Sequence, residues 1–105
     1  YATLILGPGG LTRPHPRNFL NAIENLPDEA LCNTLGFGPH QLPFAAMGLV
    51  FGGNVRVGLE DNVYVRRGQL AGSNAQLVER VVRIAESLGR PVATPGQARE
   101  QLDLD

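Results

Sequence analysis

The stretch that most constrains the fold is 54–60, where apolar and polar side chains alternate along the chain. At the two-residue period of a β-strand, one side of this stretch is apolar, comprising Val55, Val57 and Leu59. The other side carries Arg56 and Glu60. Helical patterns flank the stretch, which favours a parallel sheet covered by helices. A closed barrel explains the charged side better than an open sheet does, because that side would face the barrel interior.

Three strand and helix units follow one another along the chain. Apolar runs predict strands at 2–6, 30–35 and 54–59, and the loop after the first strand at 7–10. Apolar spacing and capping residues predict helices at 14–26, 40–51, 74–88 and 95–102. The strand starts lie roughly 25 residues apart, close to the ~30 residues per unit of an eightfold β/α barrel. We therefore predict one α/β domain, 1–105, with three units of such a barrel.

The candidate catalytic residues stand at the carboxyl end of the third strand, where barrel enzymes carry their chemistry. Glu60 is a fitting metal ligand, and Asp61 could act as a general base while Arg56 stabilises a developing anion. In an extended strand the α-carbons of Arg56 and Glu60 would be ~13 Å apart. We therefore expect each charge to have its own partner. A buried layer of salt bridges inside the barrel is the alternative.

Weaker candidates for ligand contacts lie in two loops. Gly36 and Gly38 would let the backbone approach a ligand at the start of the second helix. Arg66 and Arg67 lie in a long connection, 62–72, and could reach a phosphate, with solvated surface charge as the alternative.

The two histidines differ in their surroundings. His15 lies beside two prolines at a predicted helix start, so we expect a local cap or an exposed side chain. His40 begins the second helix and is a candidate metal ligand or acid.

Composition excludes several classes of partner and mechanism. The formal net charge of -1 provides no basic field for nucleic acid or for a membrane surface. No apolar run approaches the ~20 residues of a transmembrane helix. The cationic residues are all arginine, which excludes a Schiff-base lysine within this chain. Cys32 is the single cysteine and cannot form an internal disulfide, so the expected location is the cytoplasm.

The sequence resembles the carboxyl-terminal part of the β-keto acid cleavage enzymes over essentially its whole length. The matching segments are GGNVRVGLEDN at 52–62, GQLA at 68–71, SNAQLVER at 73–80 and ARE at 98–100. The resemblance implies a zinc-dependent (β/α)8 TIM barrel that condenses a β-keto acid with acetyl-CoA, yielding acetoacetate and a shortened CoA ester. It also implies that this chain holds the last three β/α units and is incomplete as a barrel.

The resemblance assigns roles to the residues of the third strand. Glu60 matches the carboxylate zinc ligand, Asp61 matches a residue that abstracts a proton, and Arg56 matches its supporting arginine. The weaker candidates would contact the β-keto acid or CoA, and they are Gly36, Gly38, Asn62, Arg66 and Arg67. The two histidine ligands of the family come from an early strand that this chain lacks. We therefore expect this chain alone to hold no complete zinc site and to be inactive.

Two other functions stay open at the level of the sequence. The chain could be a non-catalytic fragment or assembly module that associates through exposed strand edges. It could also belong to another metal-dependent TIM-barrel aldolase or lyase with the same carboxylates. Because three strands of a barrel leave two unpaired edges, we expect a homodimer or larger homo-oligomer.

Overall fold

The computed structural model describes residues 1–9 and 11–105, and Gly10 of the predicted loop at 7–10 lies outside them. A three-stranded parallel sheet has the order β1-β2-β3. Its strands are β1 (Ala2–Leu6), β2 (Cys32–Gly36) and β3 (Asn54–Arg56). Thr34 in the central strand is paired with Leu4 on one side and Val55 on the other. The predicted α/β class is confirmed, and the parallel sheet is compatible with part of a TIM barrel.

In the described residues four α-helices accompany the sheet in the predicted order. They are α1 (Pro16–Glu24), α2 (Gln41–Val50), α3 (Asn74–Ser87) and α4 (Pro95–Gln101). The Nδ1 atom of His15 accepts a hydrogen bond from the backbone N–H of Arg17 at 3.1 Å, so the predicted cap at the start of α1 is confirmed. Within the part of the chain that the structure describes, no helix combines the length and the apolar character needed to cross a bilayer.

Helix α2 packs on the face of the sheet that carries Thr34 and Val55. A Cβ atom at Gly48 would lie 2.9 Å from Val55 Cγ1 and 3.0 Å from Thr34 Cβ, so only glycine allows this close approach. The buried core on this face comprises Ala45, Leu49, Val81 and Ala85, with Val55 and Val57 packed against it. Because strand side chains alternate between faces, Arg56 lies on the face opposite α2. The prediction that the apolar side of this stretch packs on helices is confirmed for Val55 and Val57.

The third strand is shorter than predicted. It ends at Arg56, and the backbone then turns at Gly58 instead of continuing extended to residue 59. The predicted long loop after it contains an antiparallel hairpin, β4 (Tyr64–Arg66) and β5 (Gln69–Leu70). Gly68, with φ of 76°, lies in the turn between the two strands. Turn-forming glycine between short apolar runs is a hairpin signal that the sequence interpretation missed.

Close packing against the backbone explains why residue 36 is glycine. A Cβ atom at this position would overlap the backbone carbonyl oxygen of His40 and lie 2.7 Å from its carbonyl carbon. Packing therefore accounts for glycine at this position, and a ligand contact at Gly36 stays a prediction. The space in question is filled by the 3₁₀ turn Gly38–His40 that leads into α2.

Replacing Gly36 by Ala is expected to lower the free energy of unfolding by about 1–3 kcal/mol, because backbone has to move to accommodate the methyl group. Gly96→Ala is the matched control, since the nearest heavy atom to its new Cβ is Thr94 Oγ1 at 3.9 Å. That control should be neutral or stabilising. Denaturant unfolding of both variants checks the expectation, and equal stability of the two would contradict it.

Candidate functional site

A tight turn after β3 brings the predicted catalytic residues together. The backbone N–H groups of Asp61 and Asn62 donate to the carbonyl oxygen of Gly58 at 3.3 and 3.2 Å. This turn ends the extended backbone of β3 and lets the Glu60 side chain reach Arg56. As a result, Arg56 Nη2 lies 2.9 Å from Glu60 Oε2. The expectation that these two charges have separate partners is wrong, because it assumed an extended strand beyond Arg56 with the two α-carbons ~13 Å apart.

Arg56 also approaches the second carboxylate of the turn. Its Nε atom lies 3.5 Å from Asp61 Oδ2. The Asp61 side chain is only 3% exposed, whereas that of Glu60 is 81% exposed. Asp61 Oδ2 has no hydrogen-bond partner among the described residues. One guanidinium group therefore faces two carboxylates in different surroundings: Glu60 is solvated, and Asp61 is buried with an Oδ2 atom that has this ion pair but no hydrogen bond.

Two amide side chains that the sequence interpretation missed hold this turn in place. Gln41 is fully buried, and its Nε2 donates to the Gly58 carbonyl at 3.0 Å while its Oε1 accepts from Asn62 Nδ2 at 3.5 Å. Asn74, the first residue of α3, accepts from the Leu59 backbone N–H at 2.7 Å. The available signal was a lone polar residue, Gln41, at the start of an otherwise apolar helix. Both residues position the catalytic candidates through the backbone.

Replacing Gln41 by Met is expected to lower the free energy of unfolding by about 1–2 kcal/mol, because it removes two hydrogen bonds from a buried position of similar volume. Gln69→Met is the control, since Gln69 is exposed in β5. Thermal or denaturant unfolding of both variants measures the difference. If the two variants lost the same stability, Gln41 would not be holding the turn.

A cavity of about 980 Å³ adjoins the turn and is lined by both carboxylates together with the β4–β5 hairpin. Four of the weaker binding candidates also line it, namely Gly38, Asn62, Arg66 and Arg67. Arg80 of α3 lines it as well, and the sequence interpretation did not single it out as a candidate. Apolar side chains also line the cavity, among them Leu42, Leu59 and Val65.

Two of these candidates already use their polar groups within the chain. The backbone N–H of Gly38 donates to the Asp61 carbonyl at 2.7 Å, so it is not free for an anion. Asn62 donates to the Tyr64 carbonyl at 2.6 Å and accepts from the Tyr64 N–H at 3.1 Å. These bonds order the start of the hairpin. The direct ligand contacts predicted for Gly38 and Asn62 through these groups are therefore not supported by the geometry.

The side chains available for a metal are few. Among the described residues no group of three or more His, Cys, Asp or Glu side chains could hold a metal ion. Glu60 could serve as one ligand of a metal ion, since its side chain is exposed and only its Oε2 atom is bonded to Arg56. His15 is a helix cap, and the His40 ring lies 6.3 Å from the ring of Phe44, measured between centroids. Glu60 therefore stays the predicted carboxylate ligand of this chain.

Comparison with known proteins identifies the family. A profile for beta-keto acid cleavage enzyme matches residues 1–104. The 3-keto-5-aminohexanoate cleavage enzymes of Acetoanaerobium sticklandii and Fusobacterium nucleatum subsp. nucleatum are 46% and 50% identical, over 95% and 84% of this chain. The 3-dehydrocarnitine:acetyl-CoA trimethylamine transferase of Rhizobium meliloti is 42% identical over 82% of the chain.

The aligned part is a minor share of each relative. The chain spans 37%, 32% and 28% of the lengths of these three proteins, respectively. The match nevertheless extends over almost every residue of the present sequence, including the turn that carries Arg56, Glu60 and Asp61. The chain therefore belongs to the β-keto acid cleavage enzyme family.

Proposed function

We propose that this chain forms the last three β/α units of a zinc-dependent TIM-barrel enzyme, called the complete enzyme below. In the proposed reaction a β-keto acid and acetyl-CoA give acetoacetate and a CoA ester of the remaining acyl group. Two bonds break, the one between the keto carbon and the carboxymethyl carbon and the thioester C–S bond of acetyl-CoA. The acetyl group joins the carboxymethyl carbon, and the acyl group passes to the CoA sulfur.

The names of the relatives support both substrates. One relative is named as a cleavage enzyme for a keto acid, and another as a transferase acting with acetyl-CoA. A third, from Cupriavidus necator, is named 3-oxoadipate:acetyl-CoA acetyltransferase and is 43% identical over 82% of the chain. Membership of the family, together with these names, favours acetyl-CoA as co-substrate over a simple aldolase or lyase reaction.

The observation that carries the proposal is the arrangement of Arg56, Glu60 and Asp61 at the cavity. Asp61 is buried, and its Oδ2 atom, which pairs with Arg56 but has no hydrogen bond, could take a proton from the carbon between the keto and carboxylate groups. Arg56 holds Asp61 in place and could stabilise the negative charge that develops on the substrate. Glu60 would supply a carboxylate ligand to zinc, which when bound polarises the keto group as a Lewis acid.

The test is a turnover assay of the complete enzyme with a panel of β-keto acids, with and without acetyl-CoA. Formation of acetoacetate and a new CoA ester, dependent on acetyl-CoA, is the expected result. Cleavage that proceeds without acetyl-CoA would replace this proposal with an aldolase or lyase reaction. Absence of turnover with every acid would favour the non-catalytic assembly module.

Homo-oligomerisation and a cytoplasmic location remain predictions from the sequence. The outer strands β1 and β3 each have one strand partner among the described residues, which supports association along a free edge. In the complete enzyme the neighbouring barrel strands would occupy those edges instead, and a dimer would then have to use another surface.

A further inference from the structure

Three arginines line the cavity, and none of them has an acidic partner among the described residues. Arg66 lies on β4, Arg67 lies in the hairpin turn, and Arg80 lies on α3, and all three line the same cavity. Within residues 1–9 and 11–105 the arginine ion pairs involve Arg56 and Arg83 only. Three positive charges thus converge on one space from two different elements of the fold.

Arg66 and Arg67 are exposed, whereas Arg80 is partly buried. Its Nε atom is buried and has no hydrogen-bond partner in the described part of the chain. The pKa of Arg80 is lowered, first by burial and then by the charge of Arg66. A half-buried guanidinium group that faces a like charge is unfavourable, and a bound anion would offset that cost.

We propose that Arg66, Arg67 and Arg80 bind a phosphate group of the CoA thioester. The inference rests on the proposed function for the identity of the ligand, and it adds Arg80 to the two arginines expected from the sequence. Guanidinium groups match phosphate oxygens with paired hydrogen bonds, and a doubly charged phosphate suits several of them. The single carboxylate of a β-keto acid needs fewer charges and has Arg56 beside Asp61.

The test measures steady-state kinetics of the complete enzyme and calorimetric binding of CoA to it. Arg80→Gln and Arg66→Gln should each raise the KM for acetyl-CoA by about tenfold, equivalent to about 1.4 kcal/mol. Both should leave the KM for the β-keto acid and kcat nearly unchanged. Arg83→Gln is the matched control, because Arg83 lies on the same helix and is paired with Glu79. Arg66 is exposed, so its variant reports on the site even if Arg80→Gln folds poorly.

Two further measurements identify the phosphate group and test the site independently of turnover. Binding of dephospho-CoA, which lacks the 3′-phosphate, identifies the phosphate group. If the arginines bind the 3′-phosphate, Arg80→Gln should not weaken dephospho-CoA binding. If they bind the pyrophosphate, Arg80→Gln should weaken it as it weakens CoA binding. Calorimetry needs no turnover, so weaker CoA binding by the variants would support the site even if no β-keto acid reacted. Unchanged CoA binding and an unchanged KM for acetyl-CoA in both variants would overturn it, as would an increase only in the KM for the β-keto acid.

Discussion

Asp61→Asn is expected to lower kcat of the complete enzyme by about 10²-fold or more, the usual loss when a general base is removed. The amide keeps the shape of the side chain but cannot take a proton. Arg56 retains its ion pair with Glu60 at 2.9 Å, so the neighbouring charge does not become unpaired. The site should therefore keep its geometry while it loses its base.

The discriminating measurements for Asp61→Asn are kcat, zinc content and melting temperature on the same preparation. Zinc should stay bound and the fold should be retained, so that the loss is confined to turnover. Asp28→Asn is the control, because Asp28 is exposed and lies far along the chain from this turn. Full turnover by Asp61→Asn would remove Asp61 from the proposed mechanism.

Local signals in the sequence were sufficient for most of the fold. The order of strands and helices, the His15 cap and the packing of Val55 and Val57 on helices all follow from neighbouring residues or from a repeating period. The end of α2 could also be predicted from its glycine, since Gly52 has φ of 83° and ends the helix. These features need little information from distant parts of the chain.

The candidate site depended on contacts that the sequence order hides. Arg56 and Glu60 pair only because the chain turns at Gly58, and Gln41 and Asn74, from two different helices, fix that turn. The alternation of apolar and polar residues along 54–60 does not indicate that Gln41 and Asn74 would bind this turn. Arg80 illustrates the same limit, since its pKa is lowered by burial and then by the charge of Arg66, and the sequence order shows neither.

Glu60→Gln separates a structural ion pair from a metal ligand. The Arg56–Glu60 pair is exposed on both sides, with side-chain exposures of 48% and 81%. Exposed pairs contribute about 0–1 kcal/mol. The substitution should therefore have little effect on the free energy of unfolding of the metal-free protein. If Glu60 has no other role, zinc affinity should be unchanged as well.

Our proposal instead expects the complete enzyme to hold about one zinc per subunit, and Glu60→Gln to weaken that binding by more than about 10-fold. A loss of metal affinity of about 10-fold is the lower end of the effect of removing a residue that hydrogen-bonds to a metal ligand. Removing the ligand itself should lower the affinity further. Glu79→Gln is a close control, since Glu79 and Arg83 form another exposed pair four residues apart. Metal analysis and competition with a chelator measure the affinity. Equal zinc binding by the two variants would mean that Glu60 only pairs with Arg56, and the carboxylate ligand would have to be sought outside this chain.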